Sequence, residues 1–126
     1  MRSKRGGIEA IKIVLVVERM DRAIAFYRDA IGLDLIEESD MWSEMGWGDA
    51  VVALHAGGHA GETRETGLSI QIADLETVCS RTRQAGGVVV RPPVERPGEG
   101  IRIASVQDPE GNRISLVSRV ETSRTL

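Results

Sequence analysis

The chain has 126 residues, of which 41% are hydrophobic, so it can bury one core without disulfides or a structural metal. Its formal net charge of −3 argues against a nucleic-acid partner, because proteins that bind the phosphate backbone display clustered Lys and Arg. No apolar run is long enough to span a membrane, and the lone Cys79 cannot form an internal disulfide. We therefore predict one cytoplasmic domain with neither a nucleic-acid nor a membrane partner.

The first predicted strand and helix occupy residues 11–32. Residues 11–17 are rich in Ile and Val and alternate, with Leu15 on the face that should meet the helix and Lys12 on the opposite face. Asp21 suits the first turn of the helix, where a carboxylate faces the positive end of the dipole. Apolar residues at helical spacing continue to Gly32, where a left-handed glycine would end the helix.

Three short strands should follow, over about 33–38, 41–48 and 49–55. In the last of these, alternation places His55 on the face opposite the helix. Residues 56–66 are rich in glycine and polar groups and have no apolar periodicity, so they are predicted to form a linker.

The segment after the linker repeats the design of the segment before it. Leu68 belongs to an alternating strand, Asp74 is the predicted N-cap of a second helix, and Gly87 repeats the role of Gly32. Within the single domain we therefore predict two modules, a linker and two flexible tails. Their expected bounds are 8–55 for the first module, 56–66 for the linker, 67–118 for the second module, and 1–7 and 119–126 for the tails.

The end of the second module carries its own turn signals. Three prolines over 92–97 indicate an irregular or edge segment, because proline cannot donate to a strand ladder. The closing hairpin is joined by DPEGN at 108–112, in which Asp108 can accept a turn hydrogen bond and Gly111 tolerates a positive φ.

Histidine and cysteine do not assemble a catalytic site in this sequence. His55 and His59 are four residues apart, but the helix-breaking Ala-Gly-Gly between them does not suit a metal pair. His59 is interpreted as a solvated loop residue, whereas His55 either points into a cavity or only ends a strand. Cys79 lies on an apolar helix face, which favours a buried thiol over a nucleophile. No catalytic residue is predicted.

Two tryptophans form the main aromatic surface of a chain with 3% aromatic residues. Trp42 and Trp47 offer large flat contacts and one N–H donor each, which suits stacking on a planar ligand. The alternative is that they cover a sheet edge or a dimer contact. Glu44 shares a strand face with Trp42, so it is a candidate acid, base or ligand anchor, or simply a solvated carboxylate.

Three segments, MDRAIAFYRDAIGLDL, GLSIQIADLE and DPEGNRISLV, follow one another in the chain. With them, residues 8–117 resemble the vicinal oxygen chelate superfamily, which contains glyoxalase I, bleomycin-resistance proteins and extradiol dioxygenases. The resemblance implies an α+β fold in which two βαβββ modules form curled mixed sheets around a cavity, with the helices on the outer face. It also implies a homodimer.

In the metal-binding members of that superfamily, the ligands come from the first and last strand of each module. Aligning the motifs places those positions at Lys12, Ala53, Gly67 and Ser115. None of the four is His, Glu, Asp or Cys, of which a divalent ion needs about three. We therefore predict no metal and no other cofactor.

These patterns favour a metal-independent small-molecule binding protein of the glyoxalase/bleomycin-resistance type. We expect a homodimer that sequesters an aromatic or apolar ligand such as an antibiotic. Its predicted ligand-binding residues are Trp42, Glu44, Trp47, His55, Ser69, Gln71 and Arg102. The alternative is a glyoxalase- or dioxygenase-like lyase or oxidoreductase with a non-standard or metal-free active site that uses Glu44 and His55. Such an enzyme would either bind a metal at an unrecognised site or use Glu44 and His55 as acid and base.

Overall fold

The first module forms one mixed sheet with a helix across it. A computed structural model of the chain describes residues 5–120. The elements of the first module are β1 (Lys12–Val17), α1 (Met20–Ala25), a π-helix (Phe26–Ile31), β2 (Asp34–Glu37), β3 (Trp42–Trp47) and β4 (Ala50–Ala56). The strand order is β1-β4-β3-β2, with β1 parallel to β4 and the other pairs antiparallel.

The second module repeats this arrangement. Its elements are β5 (Arg64–Gln71), α2 (Leu75–Gln84), β6 (Val88–Arg96), β7 (Ile101–Gln107) and β8 (Asn112–Arg119). The strand order β5-β8-β7-β6 matches that of the first sheet, and the two sheets do not close into a barrel. The predicted α+β fold of two βαβββ modules is confirmed.

The predicted linker differs from that of the structure. The linker predicted at 56–66 is shorter, because Arg64 already pairs with the start of β8 and so begins β5. Of the predicted tails, residues 1–4 and 121–126 lie outside the described residues.

The first helix begins and ends as predicted but changes its winding midway. Asp21 lies in the first turn, and Gly32 ends the helix with a φ of 100°. Between them the last six residues form a π-helix, which the apolar spacing does not distinguish from an α-helix. Phe26 and Tyr27 are both buried in this wider turn, where their rings meet edge to face at 5.0 Å between centroids.

The second helix follows its sequence signals. The Asp74 side chain caps it by accepting a hydrogen bond from the Thr77 N–H at 3.1 Å, and Gly86 follows its end with a φ of 87°. Cys79 is buried as predicted, and burial raises the pKa of its thiol. No helix within residues 5–120 has the length and hydrophobicity needed to cross a membrane.

A single hydrophobic core joins the two modules. α2 packs against the π-helix as well as against its own sheet. Buried residues of both sheets, such as Leu15, Val52, Ala104 and Leu116, belong to the same cluster. Each sheet therefore has one face on this core and one face directed away from the helices, which we call its open face.

The turn DPEGN connects the second module to the first. Glu110 is fully buried, and its carboxylate accepts hydrogen bonds from the backbone N–H groups of Glu18 at 2.6 Å and Arg19 at 3.2 Å. The same carboxylate accepts a hydrogen bond from Arg22 Nε at 2.8 Å. Because these three donors belong to the start of the first helix, this turn fixes the relative position of the modules.

Asp108 supports the same turn from within. Its side chain accepts hydrogen bonds from the N–H groups of Glu110 and Asn112, each at 2.8 Å, and from the Tyr27 hydroxyl at 2.6 Å. Burial raises the pKa of this carboxyl, although the hydrogen bond from Tyr27 opposes the rise. The predicted turn hydrogen bond of Asp108 is confirmed, as is the positive φ of Gly111, at 96°.

Candidate functional site

The open face of the first sheet brings together three of the predicted ligand-binding residues. Trp42 of β3 lies opposite His55 of β4, and His55 lies opposite Val16 of β1. Glu44 shares the face of Trp42 because the two are separated by one residue along β3. The predicted strand parity, which set His55 opposite the helix, is confirmed by this register.

Lys12 completes a hydrogen-bonded cluster on this face. Its Nζ donates to Glu44 Oε2 at 2.6 Å, and the indole Nε1 of Trp42 donates to the same oxygen at 2.8 Å. The hydrogen bonds from Lys12 and Trp42 lower the pKa of Glu44, so its carboxylate is ionised at neutral pH. A general acid or base works best with a pKa near the working pH, so Glu44 is poorly suited to that role.

Trp42 and His55 provide the aromatic part of the cluster. Their ring centroids are 5.8 Å apart and the ring planes are tilted by 56°. Because the indole N–H is already bonded to Glu44, Trp42 has its ring face rather than its donor to offer to a ligand. The cluster is therefore an aromatic contact surface held in place by an ion pair.

The open face of the second sheet carries uncharged polar groups. Ser69 of β5 lies opposite Ser115 of β8, which in turn lies opposite Ser105 of β7. Only Ser69 was among the predicted ligand-binding residues. The alternation of serine with buried apolar residues along β7 and β8 is the signal that could have identified the other two.

Three predicted residues line a separate cavity of about 710 Å³ at the edge of β5. They are Trp47, Ser69 and Gln71, and the cavity lies between β5 and the end of the π-helix at Ile31. Trp47 is 73% exposed, so its indole lies at the rim. The structure thus separates Trp47 from Trp42, although both lie on β3.

Arg102 is not part of either group. It lies on β7 with its guanidinium on the helix-facing side, where NH1 donates to Glu76 Oε1 of α2 at 3.2 Å. Its strand neighbours Ile101 and Ile103 have the opposite orientation. The sequence alone does not reveal this orientation, because the contact joins Arg102 to a helix residue 26 positions earlier in the chain.

The positions that would hold a metal ion do not fit one. Lys12 is an ammonium group already paired with Glu44, and a positive charge there opposes the approach of a cation. Ala53 has no donor, Gly67 has no side chain, and Ser115 is a neutral hydroxyl. Across residues 5–120, no three His, Cys, Asp or Glu side chains lie close enough together to bind a metal.

We expect the fluorescence of Trp42 to report the protonation of Glu44. In the Trp47→Phe protein Trp42 is the remaining tryptophan, and protonation of Glu44 removes its ion pair with Lys12. The midpoint should lie below the ordinary value of 4.5, because the hydrogen bonds from Lys12 and Trp42 favour the carboxylate. The stability contributed by this group is accordingly present above pH 4.5 and is lost as the pH falls through the lowered pKa.

The matched control for this titration is the double variant Trp47→Phe/Glu44→Gln, which cannot titrate at this position. A midpoint of 4.5 or higher, or the same transition in the control, would contradict the hydrogen-bonded geometry of the cluster.

Comparison with known proteins identifies the family that this chain matches. The model of the Glyoxalase/Bleomycin resistance protein/Dioxygenase superfamily matches residues 10–116. A probable lactoylglutathione lyase of Vibrio cholerae is 28% identical over 126 aligned positions, which cover 82% of this chain and 86% of the relative. A probable lactoylglutathione lyase of Synechocystis sp. is 30% identical over 112 positions, which cover 78% of this chain and 86% of the relative.

A solved structure has the same fold. A glyoxalase/bleomycin resistance protein/dioxygenase family enzyme from Burkholderia phytofirmans PsJN superposes with a TM-score of 0.70 at 17% identity. The superposition covers 86% of this chain and 96% of that chain. At this level of identity the likeness shows the fold alone.

Proposed function

The chain belongs to the glyoxalase/bleomycin resistance protein/dioxygenase superfamily, and within it we propose a metal-independent protein that binds and sequesters an aromatic or apolar small molecule, such as an antibiotic. The ion pair between Lys12 and Glu44 carries this proposal. It lies where the metal-binding members that the chain resembles place a ligand. A lysine in a pair with a carboxylate does not coordinate a cation, and the paired carboxylate is less available to do so.

The ligand would gain affinity by removing flat apolar surface from water. Trp42 and His55 supply the aromatic surface, and Val14 lies on the same open face with 47% of its surface exposed. Aromatic pairs contribute about 0.5–1.5 kcal/mol beyond their buried area. The lowered pKa of Glu44 supports binding over acid–base catalysis.

We propose that a second copy of the chain completes the site. In a single chain the open faces leave apolar side chains exposed, among them Val14 at 47%, Val88 at 52% and Val94 at 44%. β1 and β5 also lie at sheet edges, where unpaired backbone groups can accept another strand. A homodimer would cover these surfaces. Sedimentation at micromolar concentration should give twice the mass of the chain, and a monomer would contradict this part of the proposal.

We propose a reducing, cytoplasmic location for this protein. The support is that Cys79, the single cysteine, is a buried free thiol.

Ligand titration of the Trp47→Phe protein tests the proposed function. Trp42 is then the only tryptophan, and a flat aromatic antibiotic that stacks on it should change its emission in a saturable way. His55→Ala should weaken that affinity by roughly 3- to 10-fold, because the ligand loses one of two aromatic contacts. His59→Ala is the matched control and should leave the affinity unchanged, since His59 lies in the connecting loop. Silence across a chemically diverse set of aromatic antibiotics would contradict the proposal.

A second candidate function is a lyase, which the names of the two relatives favour. In that case purified protein should hold a stoichiometric metal or turn over lactoylglutathione without one. A metal-free reaction through Glu44 and His55 should fall by about 10²- to 10⁴-fold in Glu44→Gln and His55→Ala, the range of general acid–base catalysis. Turnover that survives in both variants would exclude these residues as the acid and base.

A further inference from the structure

We propose that the open face of the second sheet binds an anionic oxygen group of the ligand, a carboxylate or a phosphate, through Arg91 and a row of three serines. This inference rests on the proposed function and adds the chemical class of the ligand to it. Because both sheets share one core, the two open faces of a single chain point away from each other. One ligand can therefore meet this row and the aromatic cluster only where the proposed second copy brings its first sheet against this sheet. Such a ligand would have a flat apolar end and an anionic end.

The register of the sheet sets four polar side chains in one line. Ser69 lies opposite Ser115, Ser115 opposite Ser105, and Ser105 opposite Arg91. The four residues come from β5, β8, β7 and β6, so the line crosses the whole sheet. With strands about 4.8 Å apart, neighbouring hydroxyls are close enough for one anionic group to reach two of them.

The serines face away from the core. Ser105 lies between the buried residues Ala104 and Val106, and Ser115 lies between the buried residues Ile114 and Leu116. Because side chains alternate along a strand, both hydroxyls belong to the open face. This row is flanked on the same face by an apolar row that includes Val117, Ile103 and Val94.

These polar groups have no partner in the described part of the chain. Within residues 5–120, neither the guanidinium of Arg91 nor the hydroxyls of Ser69, Ser105 and Ser115 take part in a hydrogen bond or an ion pair. Several other arginines are paired, as Arg22 is with Glu110 and Arg102 with Glu76. Arg91 therefore keeps its planar set of donors for a group from outside the chain.

The chemistry of these groups selects an anion. A guanidinium matches the two oxygens of a carboxylate or phosphate, and hydroxyls can donate to the same oxygens. β6 carries a register shift next to Arg91, and such irregularities often re-aim a side chain beside a site. Ser115 also occupies one of the positions that hold a metal in metal-binding members. The row would thus hold ligand oxygens by hydrogen bonds without a metal ion.

Two matched probes test this inference. 2-Naphthoate and 2-naphthalenemethanol share the same flat ring system and differ in carrying a carboxylate or a neutral hydroxyl. The natural protein should bind 2-naphthoate at least fivefold more tightly, as measured by calorimetry at low salt, because a charge-assisted hydrogen bond to Arg91 is stronger than a neutral one. The preference should shrink at high salt, since exposed charges are screened.

Substitutions show which residues cause the preference for 2-naphthoate over the neutral probe. Arg91→Gln should bring the two probes to within about twofold of each other, and Ser105→Ala and Ser115→Ala should each reduce the preference. Arg96→Gln removes the same charge from the same strand, but Arg96 is paired with Glu99, so the preference should persist. Ser80→Ala on the exposed side of α2 is the control for the serine changes.

The outcomes separate the inference from the proposed function. Equal affinity for the two probes in the natural protein, or a preference that survives Arg91→Gln, would overturn the inference while the proposed function stands. Failure of 2-naphthoate to bind at millimolar concentration would also overturn it. Failure of the neutral probe alone would count against the aromatic contact on the first sheet and leave the anionic row supported.

Discussion

Glu110→Ala should lower the free energy of unfolding by about 3 kcal/mol, because it removes a buried carboxylate that accepts three hydrogen bonds. The Glu110 carboxylate is fully buried and accepts hydrogen bonds from Glu18 N, Arg19 N and Arg22 Nε. Its loss would leave two backbone donors without their acceptor and the Arg22 guanidinium without its counter-charge. Since these donors start the first helix, both modules should unfold together at lower denaturant concentration.

Urea unfolding followed by circular dichroism measures this change. The control is Glu65→Ala, which removes an exposed carboxylate paired with Arg113 and should cost less than about 1 kcal/mol. Equal costs for the two variants would mean that the turn does not fix the modules to each other.

Gly111→Ala should lower the free energy of unfolding by about 3 kcal/mol or prevent folding, because it combines a strained backbone with a severe clash. Gly111 has a φ of 96°, which side-chain-bearing residues rarely adopt. A Cβ built there would lie 1.8 Å from the carbonyl oxygen of Glu62. The loop before β5 would have to move, although Arg64 N–H is bonded to the Gly111 carbonyl at 2.8 Å.

Gly100→Ala is the matched control for this substitution. Gly100 also has a positive φ, of 70°, but nothing lies within 4 Å of its added Cβ. It should cost about 1–2 kcal/mol, the strain of the backbone alone. A thermal melt in which the two variants lose equal stability would contradict the close approach of the loop to the turn.

The fold could be predicted because its signals are local. Gly32 and Asp74 mark a helix end and a helix start through the backbone geometry that each favours. The alternation around His55 was also sufficient to predict which face of β4 this residue occupies, because the other face of that strand packs on the core. The sequence does not predict the early start of β5 at Arg64, because Arg64 pairs with β8, 48 residues later in the chain. This pairing leaves no apolar pattern around Arg64.

The candidate site was predicted less completely because it depends on register between distant strands. The parity of β3 placed Trp42 and Glu44 together, but the ion pair of Glu44 with Lys12 joins residues 32 positions apart. Ser105 and Ser115 become neighbours of Ser69 only once β7, β8 and β5 are aligned. Such contacts are set by strand order, which one sequence does not report.

The different positions of Trp47 and Arg102 also depend on contacts between residues that are far apart in the sequence. Both are amphipathic side chains that suit a ligand site by type alone. Trp47 lies at the rim of the cavity beside β5, whereas Arg102 pairs with Glu76 across the core-facing side of its strand. Both residues were predicted to bind a ligand because of their side-chain chemistry, but the fold places them at different sites.

The central claim is that ligand binding by this chain needs no metal ion. The most direct test is the affinity of the Trp47→Phe protein for the aromatic antibiotic that gives the largest change in Trp42 emission, measured before and after exhaustive treatment with a chelator. We predict the same dissociation constant in both samples, because Lys12 and Glu44 pair with each other in place of a metal site. Binding that disappears with the chelator and returns with a divalent cation would contradict the claim.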